Sequence, residues 1–185
     1  MASRLESTPI PERVVAETTV FDDRASFSQL GVPAALCEIL RESGIDRPFP
    51  IQTATLPDSL SGEDVLGRGR TGSGKTLAFV LPILTRLAAS PNERQARRPR
   101  ALVLAPTREL ALQIQTAMAP LAKAMSLRTM SIFGGVNQNP QVENLRRGVD
   151  VVIACPGRLE DLMAQRHVSL DAVEITVLDL SLIHI

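Results

Sequence analysis

The sequence predicts an α/β domain in which a parallel β-sheet carries helices on both faces. Three observations support this fold class. Short apolar runs alternate with longer helical stretches from Asp64 onward. Residues 101–105, Ala-Leu-Val-Leu-Ala, are apolar on both faces, which is typical of strands buried between two helical layers. At 185 residues the chain has the length of one domain, and alternating strands and helices favour parallel pairing with right-handed crossovers.

The individual elements follow from periodicity, proline and glycine. Pro33 suits the first position of a helix over residues 33–43, and Gly44 suits its end. Pro48 and Pro50 predict a rigid loop over residues 44–51, because proline removes a backbone donor. The predicted strands are residues 64–67, 101–105, 129–133, 151–154 and 175–179. The other predicted helices are residues 52–60, 75–89, 108–125, 141–147 and 158–165.

Composition and charge exclude several classes of protein. Lys+Arg and Asp+Glu are 20 each, so no global field attracts nucleic acid or membrane, and local geometry must hold any anionic partner. With five Phe, no Tyr and no Trp, an aromatic platform for stacking bases is disfavoured. Cys37 and Cys155 form no C-x-x-C pair, which argues against a zinc site and against a disulfide framework.

The N-terminal segment does not have the pattern of a signal peptide. Residues 1–26 are polar, contain Pro9 and Pro11, and predict a flexible extension that lacks the apolar core of a signal peptide. The longest apolar stretch, residues 77–84, is far shorter than the roughly 18 residues that indicate a membrane span. We therefore expect a soluble, cytoplasmic protein with no membrane partner.

Residues 69–76 read Gly-Arg-Thr-Gly-Ser-Gly-Lys-Thr and match G-x-x-x-x-G-K-[ST] in full. Glycines let successive backbone N–H groups turn toward phosphate oxygens, and the helix that follows places its positive end against the same charge. Lys75, one of only two lysines, would reach the β- and γ-phosphates, and the Thr76 hydroxyl would bind Mg²⁺. The residues predicted to hold a nucleotide here are Arg70, Thr71, Gly72, Ser73, Gly74, Lys75 and Thr76.

One polar segment has two interpretations. Residues 91–100 contain four arginines, which could contact phosphates. A charge run of this kind is more often a solvated surface loop, and that interpretation is favoured.

Four further segments reduce the range of functions that are compatible with the phosphate loop. Residues 44–52 read Gly-Ile-Asp-Arg-Pro-Phe-Pro-Ile-Gln, and Phe27 lies 17 residues before Gly44. Residues 106–111 read Pro-Thr-Arg-Glu-Leu-Ala, residues 133–135 read Phe-Gly-Gly, and residues 155–158 read Cys-Pro-Gly-Arg. In this order, together with the phosphate loop, they resemble the motifs of the DEAD-box RNA helicase family in its N-terminal RecA-like domain. The resemblance spans residues 27–179.

The resemblance implies ATP and Mg²⁺ as cofactors. Gln52 would bond the adenine edge, since its amide offers a donor and an acceptor together. Phe27 would brace the adenine side, and Pro50 belongs to the same nucleotide-binding segment as Gln52. Ile45 takes the place of the family's usual aromatic, so its contact with the base would be purely apolar. Phe49 replaces a usual Thr.

The resemblance also implies single-stranded or duplex RNA as a partner, bound through its backbone. Loops at the ends of parallel strands can align N–H groups and guanidinium groups along a phosphate track without reading sequence. Cys155 stands where the family has Thr, which weakens or removes one hydroxyl contact. The positions implied to hold RNA are Pro106, Thr107, Arg108, Gly134, Gly135, Pro156, Gly157 and Arg158.

The family pattern breaks after Asp179. With Lys75 and Thr76, Asp179 would form the catalytic set, and with Thr76 it would hold Mg²⁺. Leu180 occupies the place of the Glu that positions the attacking water, and a leucine cannot do so. Residues 180–185 resemble no continuation of the family and are interpreted as an aberrant tail. The sheet is therefore expected to be incomplete at the C-terminus, and we expect the second RecA-like domain of the family to be missing in cis.

We therefore expect an N-terminal piece of an ATP-dependent RNA helicase that binds ATP and RNA weakly and is inactive alone. A non-enzymatic nucleotide- or RNA-binding module remains an alternative. Another phosphate-loop enzyme, such as a small kinase, is weaker, because a kinase needs neither Gln52 nor the Pro-Phe-Pro loop. The sequence leaves the RNA target, the pathway and the oligomeric state open.

Overall fold

The computed structural model describes residues 25–179. The predicted N-terminal extension, apart from its last two residues, and the predicted aberrant tail both lie outside the described part. Within the described part the elements are α1 (Ala34–Glu42), α2 (Pro50–Ser61), α3 (Lys75–Ala89), β1 (Ala101–Leu104), α4 (Arg108–Ala124), β2 (Thr129–Ile132), α5 (Asn139–Arg147), β3 (Val151–Ala154), α6 (Pro156–Ala164) and β4 (Ile175–Leu178).

The strands form one parallel sheet in the order β2-β3-β1-β4. The last residues of the strands lie in register: Ala154 of β3 pairs with Leu104 of β1 and with Ile132 of β2, and Leu104 pairs with Leu178 of β4. The loops that follow all four strands therefore leave from one edge of the sheet, which we call the carboxyl edge. The predicted parallel α/β fold is confirmed.

Helices cover both faces of the sheet and bury it. On β3, Val151 and Ile153 face a core built with α1 to α4, whereas Val152 and Ala154 face a second core built with α5 and α6. All four side chains are fully buried, as period-two alternation between two apolar layers requires. The apolar sequence of the central strands is thus explained by helices on either side.

The predicted strand over residues 64–67 is wrong. Only Leu66 in this segment forms a β-bridge, and none of the four strands of the described sheet pairs with it. Leu66 is also 53% exposed, so the apolar run is not buried as a central strand would be. An extended segment without a ladder of hydrogen bonds to a neighbour does not constitute a strand, whatever its composition.

Three helices begin earlier than predicted, each at or beside a proline. The structure places Pro50, Pro140 and Pro156 in the first two positions of α2, α5 and α6. At those positions the missing N–H has no helical partner to lose, and the fixed φ of proline suits a helix. The predicted loop over residues 44–51 therefore ends at Phe49, and α2 starts at Pro50.

The loop over residues 91–100 is not a merely solvated surface loop, as the favoured interpretation had it. Arg94 donates to the buried Asp150 carboxylate at 2.7 Å, and Arg98 pairs with Asp171 at 2.6 Å. Arg100 is buried, donates to Glu174 at 2.8 Å, and lies 3.7 Å from Asp150. Three of the four arginines therefore fasten the loop to the amino edge of the sheet, opposite the carboxyl edge.

These ion pairs set the acidity of two carboxyl groups. Burial alone would raise the pKa of Glu174, but hydrogen bonds from Arg100 and Ser90 outweigh it and lower that pKa below its ordinary value. A hydrogen bond from Ser169, together with those from Arg98, lowers the pKa of Asp171.

Among the described helices, none is both long enough and apolar enough to cross a bilayer.

Candidate functional site

The glycine-rich segment before α3 forms a tight loop. Gly72 and Gly74 adopt left-handed backbone conformations, with φ of +82° and +86°. Gly74 is the residue that caps the start of α3, and no side chain within residues 25–179 forms a capping hydrogen bond at that helix end. The first turn of α3 also contains no acidic residue. Its positive helix terminus is therefore left for an anion, as the sequence predicts.

Lys75 lies inside the curve of this loop. Its Nζ donates to the backbone carbonyl of Arg70 at 2.9 Å and to that of Gly69. Two carbonyl oxygens thus hold the ammonium beside the N-terminus of α3. A phosphate oxygen at that terminus would compete with these carbonyls for the N–H groups of the ammonium. Lys75 therefore lies where the motif predicts a phosphate-binding lysine.

Gln52 joins α2 to the phosphate loop. Its side chain is completely buried, its Nε2 donates to the carbonyl of Gly74 at 2.8 Å, and its Oε1 accepts from the N–H of Phe49 at 2.9 Å. Both ends of the amide are therefore bonded within the protein. To bond an adenine, the amide must form bifurcated hydrogen bonds or break those to the Gly74 carbonyl and the Phe49 N–H.

The approach of α2 to the loop explains the glycine at position 74. A Cβ built there would lie 2.5 Å from Nε2 of Gln52 and 2.8 Å from Cδ2 of Phe49, closer than side chains tolerate. At Gly69, a Cβ would meet Oγ of Ser73 at 2.6 Å and Cδ1 of Ile51 at 3.0 Å. Packing therefore disfavours a side chain at both positions, and at Gly74 the left-handed backbone conformation adds a second reason for glycine.

The other residues of the predicted adenine region occupy different environments. Phe49 is 48% exposed and stands against the loop, whereas Pro50 is exposed at the start of α2. Ile45 is half-buried and packs on the main core. Phe27 is only 4% exposed and belongs to that core, so any influence on a base passes through other side chains.

The residues present fit a nucleotide with Mg²⁺. The Ser73 hydroxyl is buried in the loop without a hydrogen-bond partner in the described part of the chain, and it can serve a phosphate. No group of three or more His, Cys, Asp or Glu capable of holding a metal occurs within residues 25–179. Mg²⁺ at phosphates needs only one or two protein ligands, and Thr76 and Asp179 carry oxygen donors of the kind that it takes.

The carboxyl edge gathers the predicted RNA-binding residues. Thr107 caps α4, its hydroxyl accepting from the N–H of Leu110 at 3.2 Å, and Pro106 before it is exposed. The exposed Arg108 places its guanidinium 4.8 Å from the centre of the Phe133 ring, a cation–π contact between the loops after β1 and β2. Arg108 is thus positioned by the aromatic residue that follows β2.

The turn after β2 is held at both ends. Gln141 donates to the carbonyl of Phe133 at 3.1 Å, and Arg158 donates to the carbonyl of Val136 at 3.2 Å. Between these two anchors, Gly134 and Gly135 are exposed, and Gly135 has a φ of +76°. Their N–H groups are therefore presented on a fixed turn.

The loop after β3 leads directly into α6. Cys155 is the residue before the helix, its N–H donates to the carbonyl of Ile132 at 2.8 Å, and Pro156 and Gly157 are exposed. Burial, and then the nearby charge of Glu109, raise the pKa of the Cys155 thiol. A neutral thiol is a weaker hydrogen-bond donor than the hydroxyl that the family has at this position.

Asp179, which follows β4, also lies at this edge, where its N–H donates to the carbonyl of Leu104 at 3.0 Å.

The structure therefore brings together two sets of residues. Gln52, Gly74 and Lys75 meet at the phosphate loop, and the motifs after β1, β2 and β3 meet with Asp179 at the carboxyl edge. Sequence reasoning assigned no role to Phe133 or Gln141. The aromatic before the Gly-Gly pair was a usable signal for the first, whereas no local pattern indicates the second.

Comparison with known proteins identifies the family. A family model described as DEAD/DEAH box helicase matches residues 49–179, most of the chain. The chain belongs to the DEAD/DEAH box helicase family. The resemblance in the sequence motifs is thereby confirmed.

Two helicases of this family illustrate the extent of the similarity. The chain is 42% identical over 154 residues to DEAD-box ATP-dependent RNA helicase 20 of Arabidopsis thaliana, covering 83% of this chain and 31% of that protein. It is 46% identical over 157 residues to ATP-dependent RNA helicase RhlB of Xanthomonas axonopodis pv. citri (strain 306), covering 83% of this chain and 28% of that protein. The chain thus spans less than a third of these curated relatives.

A solved DEAD-box structure shows the same fold. The crystal structure of the RNA-helicase Prp28 from Chaetomium thermophilum bound to ADP superposes with a TM-score of 0.78 at 35% identity. The match covers 86% of this chain and 39% of that chain. The predicted RecA-like fold is confirmed, and the roles of individual DEAD-box site residues stay predictions.

Proposed function

We propose that the chain supplies the ATP-binding site and half of the RNA-binding surface of an ATP-dependent RNA helicase. The observation that carries this proposal is the direct bond from Gln52 to Gly74. It joins the segment that would hold the base to the loop that would hold the phosphates. ATP would lie across this junction, and RNA would run along the carboxyl edge.

The nucleotide would be held by this chain's own donors. Lys75 would transfer from the carbonyls of Gly69 and Arg70 to the β- and γ-phosphate oxygens, and the buried Ser73 hydroxyl would gain its missing partner. Gln52 would recognise adenine through its amide. Mg²⁺, held by Thr76 and Asp179, would neutralise charge on the phosphates.

RNA would be held through its phosphates. The N-termini of α4 and α6 start at the carboxyl edge, so their N–H groups and dipoles favour negative charge there. Arg108 and Arg158 add guanidinium groups, and the Gly134–Gly135 turn adds N–H groups that no side chain shields. Such contacts fix the strand's position without reading its bases, which suits a helicase acting on varied duplexes.

Duplex opening requires more than this chain. We propose that a second RecA-like domain in cis completes the ATP site and the RNA track, that closure of the two domains bends and parts the strands, and that hydrolysis resets them. We further propose the cytoplasm as the site of action. The chain alone would bind ATP and RNA weakly and would not hydrolyse ATP in response to RNA.

A second candidate function is a non-enzymatic nucleotide- and RNA-binding module. One observation favours it: Leu180 stands directly after Asp179, where a helicase of this family needs a carboxylate to position the attacking water. Binding would survive this substitution, whereas hydrolysis would not.

RNA binding and phosphate release test the proposal. Anisotropy of labelled single-stranded RNAs of several sequences should show equal affinities, lowered uniformly by Arg108→Gln. The matched control Arg128→Gln removes an exposed arginine at the amino edge and should have no effect. Phosphate release should be absent with and without RNA. Sequence-dependent affinity, or an equal loss in both variants, would contradict the proposed RNA track.

A further inference from the structure

A groove of about 490 Å³ lies at the amino edge of the sheet, away from the phosphate loop and the RNA-binding motifs. It is formed by the loop before β1, the end of α6, and the segment before β4. Met163, Val168 and Leu170 give it an apolar floor, and none of its lining residues is acidic. Met163 is 40% exposed, so its apolar side chain is accessible to a ligand in the groove.

Three arginines line the same groove, and two of them are uncompensated. Arg98 is neutralised by its bidentate bonds to Asp171. Arg97 and Arg166 are exposed, and neither forms an ion pair with any residue between 25 and 179. The groove therefore combines its apolar floor with two positive charges that form no ion pair within residues 25–179, in a chain whose net charge is zero.

The backbone at these two arginines is also unusual. Arg97 and Arg166 have φ of 60° and 59°, two of three non-glycine residues in the described part with left-handed conformations. Arg166 follows the end of α6, the position at which helices ordinarily use glycine. Arg97 is fixed by bonds from its N–H to Leu145 and from Ser169 to its carbonyl. At each position glycine would adopt the left-handed conformation at a lower conformational energy than arginine. The presence of arginine there points to a binding role for its side chain.

We propose that this groove binds an acidic peptide segment of a partner protein, with an apolar side chain between its carboxylates. The carboxylates would pair with Arg97 and Arg166, and the apolar side chain would cover Met163, whose flexible thioether adapts to different shapes. RNA fits the groove less well, because it offers no aliphatic group for the floor and the groove offers no aromatic ring for a base.

The test uses the 185-residue chain and a fluorescein-labelled synthetic peptide in which glutamate alternates with leucine. Anisotropy should show saturable binding, weakened roughly fivefold to tenfold by Arg97→Gly combined with Arg166→Gly. Glycine suits both left-handed positions, so this variant should keep the wild-type melting temperature. Met163→Ser should also weaken binding. The control Arg41→Gln, on the exposed face of α1, should bind as wild type.

Several results would overturn the proposal. A peptide in which lysine replaces glutamate should not bind, and equal binding would show that charge plays no part. Failure of the acidic peptide to bind, or binding unaffected by loss of both arginines, would remove the proposed site. Competition by single-stranded RNA for the peptide would identify the groove as a nucleic-acid surface instead. Peptide binding and its loss in the arginine variants are measured without ATP or RNA, so their outcome is independent of the proposed helicase function.

Discussion

The side-chain amide of Gln52 donates to the backbone carbonyl of Gly74 at 2.8 Å, although 22 residues separate them in sequence. The same amide accepts from the N–H of Phe49, so one buried side chain fixes the start of α2 against the phosphate loop. Gln52 is therefore a structural brace as well as the predicted adenine contact. Its two roles can be separated by experiment.

Replacing Gln52 by alanine should lower affinity for ATP and for inorganic tripolyphosphate. The variant leaves the Gly74 carbonyl and the Phe49 N–H without their partner, a loss of about 1–3 kcal/mol in unfolding free energy. Preference for ATP over GTP should also fall. Calorimetry with the three ligands measures both effects.

The matched control for this variant is Gln165→Ala, which removes an exposed amide whose Oε1 accepts from Nε2 of Gln138 at 3.1 Å. It should leave all three affinities unchanged. If Gln52→Ala weakened ATP but left tripolyphosphate untouched, the amide would act on the base alone, and bracing of the loop would be refuted.

Gly74→Ala should disrupt the loop more than any glycine change at the carboxyl edge. The new Cβ meets Gln52 and Phe49 at less than 3 Å, and φ is +86°. The strained conformation and the clash together should cost roughly 2–4 kcal/mol of unfolding free energy. Gly134→Ala is the control, because a Cβ there has no atom within 4 Å. Urea denaturation that gives equal values for both variants would contradict the packing argument.

Phe133→Leu should weaken RNA binding by two- to fivefold, since the leucine keeps apolar packing but loses the ring that holds Arg108. The control Phe79→Leu changes a half-buried phenylalanine of the same core that lies on α3. Anisotropy with labelled single-stranded RNA compares the two. An equal loss in both variants would assign the effect to core packing rather than to the arginine.

Stability should fall in acid through Glu174. Its folded-state pKa lies below the ordinary 4.5, so its stabilising contribution is present above pH 4.5 and is lost as the pH falls through the lower folded value. Glu174→Gln should therefore be less stable than wild type at neutral pH and should lose less on acidification. Glu38→Gln, at an exposed pair on α1, should follow the wild-type curve. Parallel curves for wild type and Glu174→Gln would refute this assignment.

Much of this architecture is encoded locally, and the exceptions have specific causes. The strands Ala101–Leu104 and Val151–Ala154 were predictable because both faces are apolar. Residues 64–67 contain the apolar pair Val65-Leu66 but lack a ladder partner in the described sheet, and composition does not reveal a partner. Pro50 was interpreted as part of a loop, and the helix after β3 was predicted to start two residues after Pro156, although proline also begins helices.

The candidate site divides in the same way. The phosphate loop was predictable, because only its glycines permit the backbone conformation and the close approach of Gln52. The Arg108–Phe133 contact and the bond from Gln141 to Phe133 depend on which loops the sheet order brings together. The loop over residues 91–100 was misinterpreted for the same reason, since Asp150 and Glu174 are distant in sequence.

The most direct test of the central claim, that this chain grips the phosphates of ATP at its glycine-rich loop, compares its two lysines. Calorimetry with magnesium and ATP should give binding by wild type and by Lys123→Ala, whose lysine is exposed near the end of α4. Lys75→Ala should lose that binding at least tenfold while keeping its melting temperature, because a charged contact to phosphate disappears. Equal ATP affinity in the two variants, or no binding by folded wild type, would contradict the account.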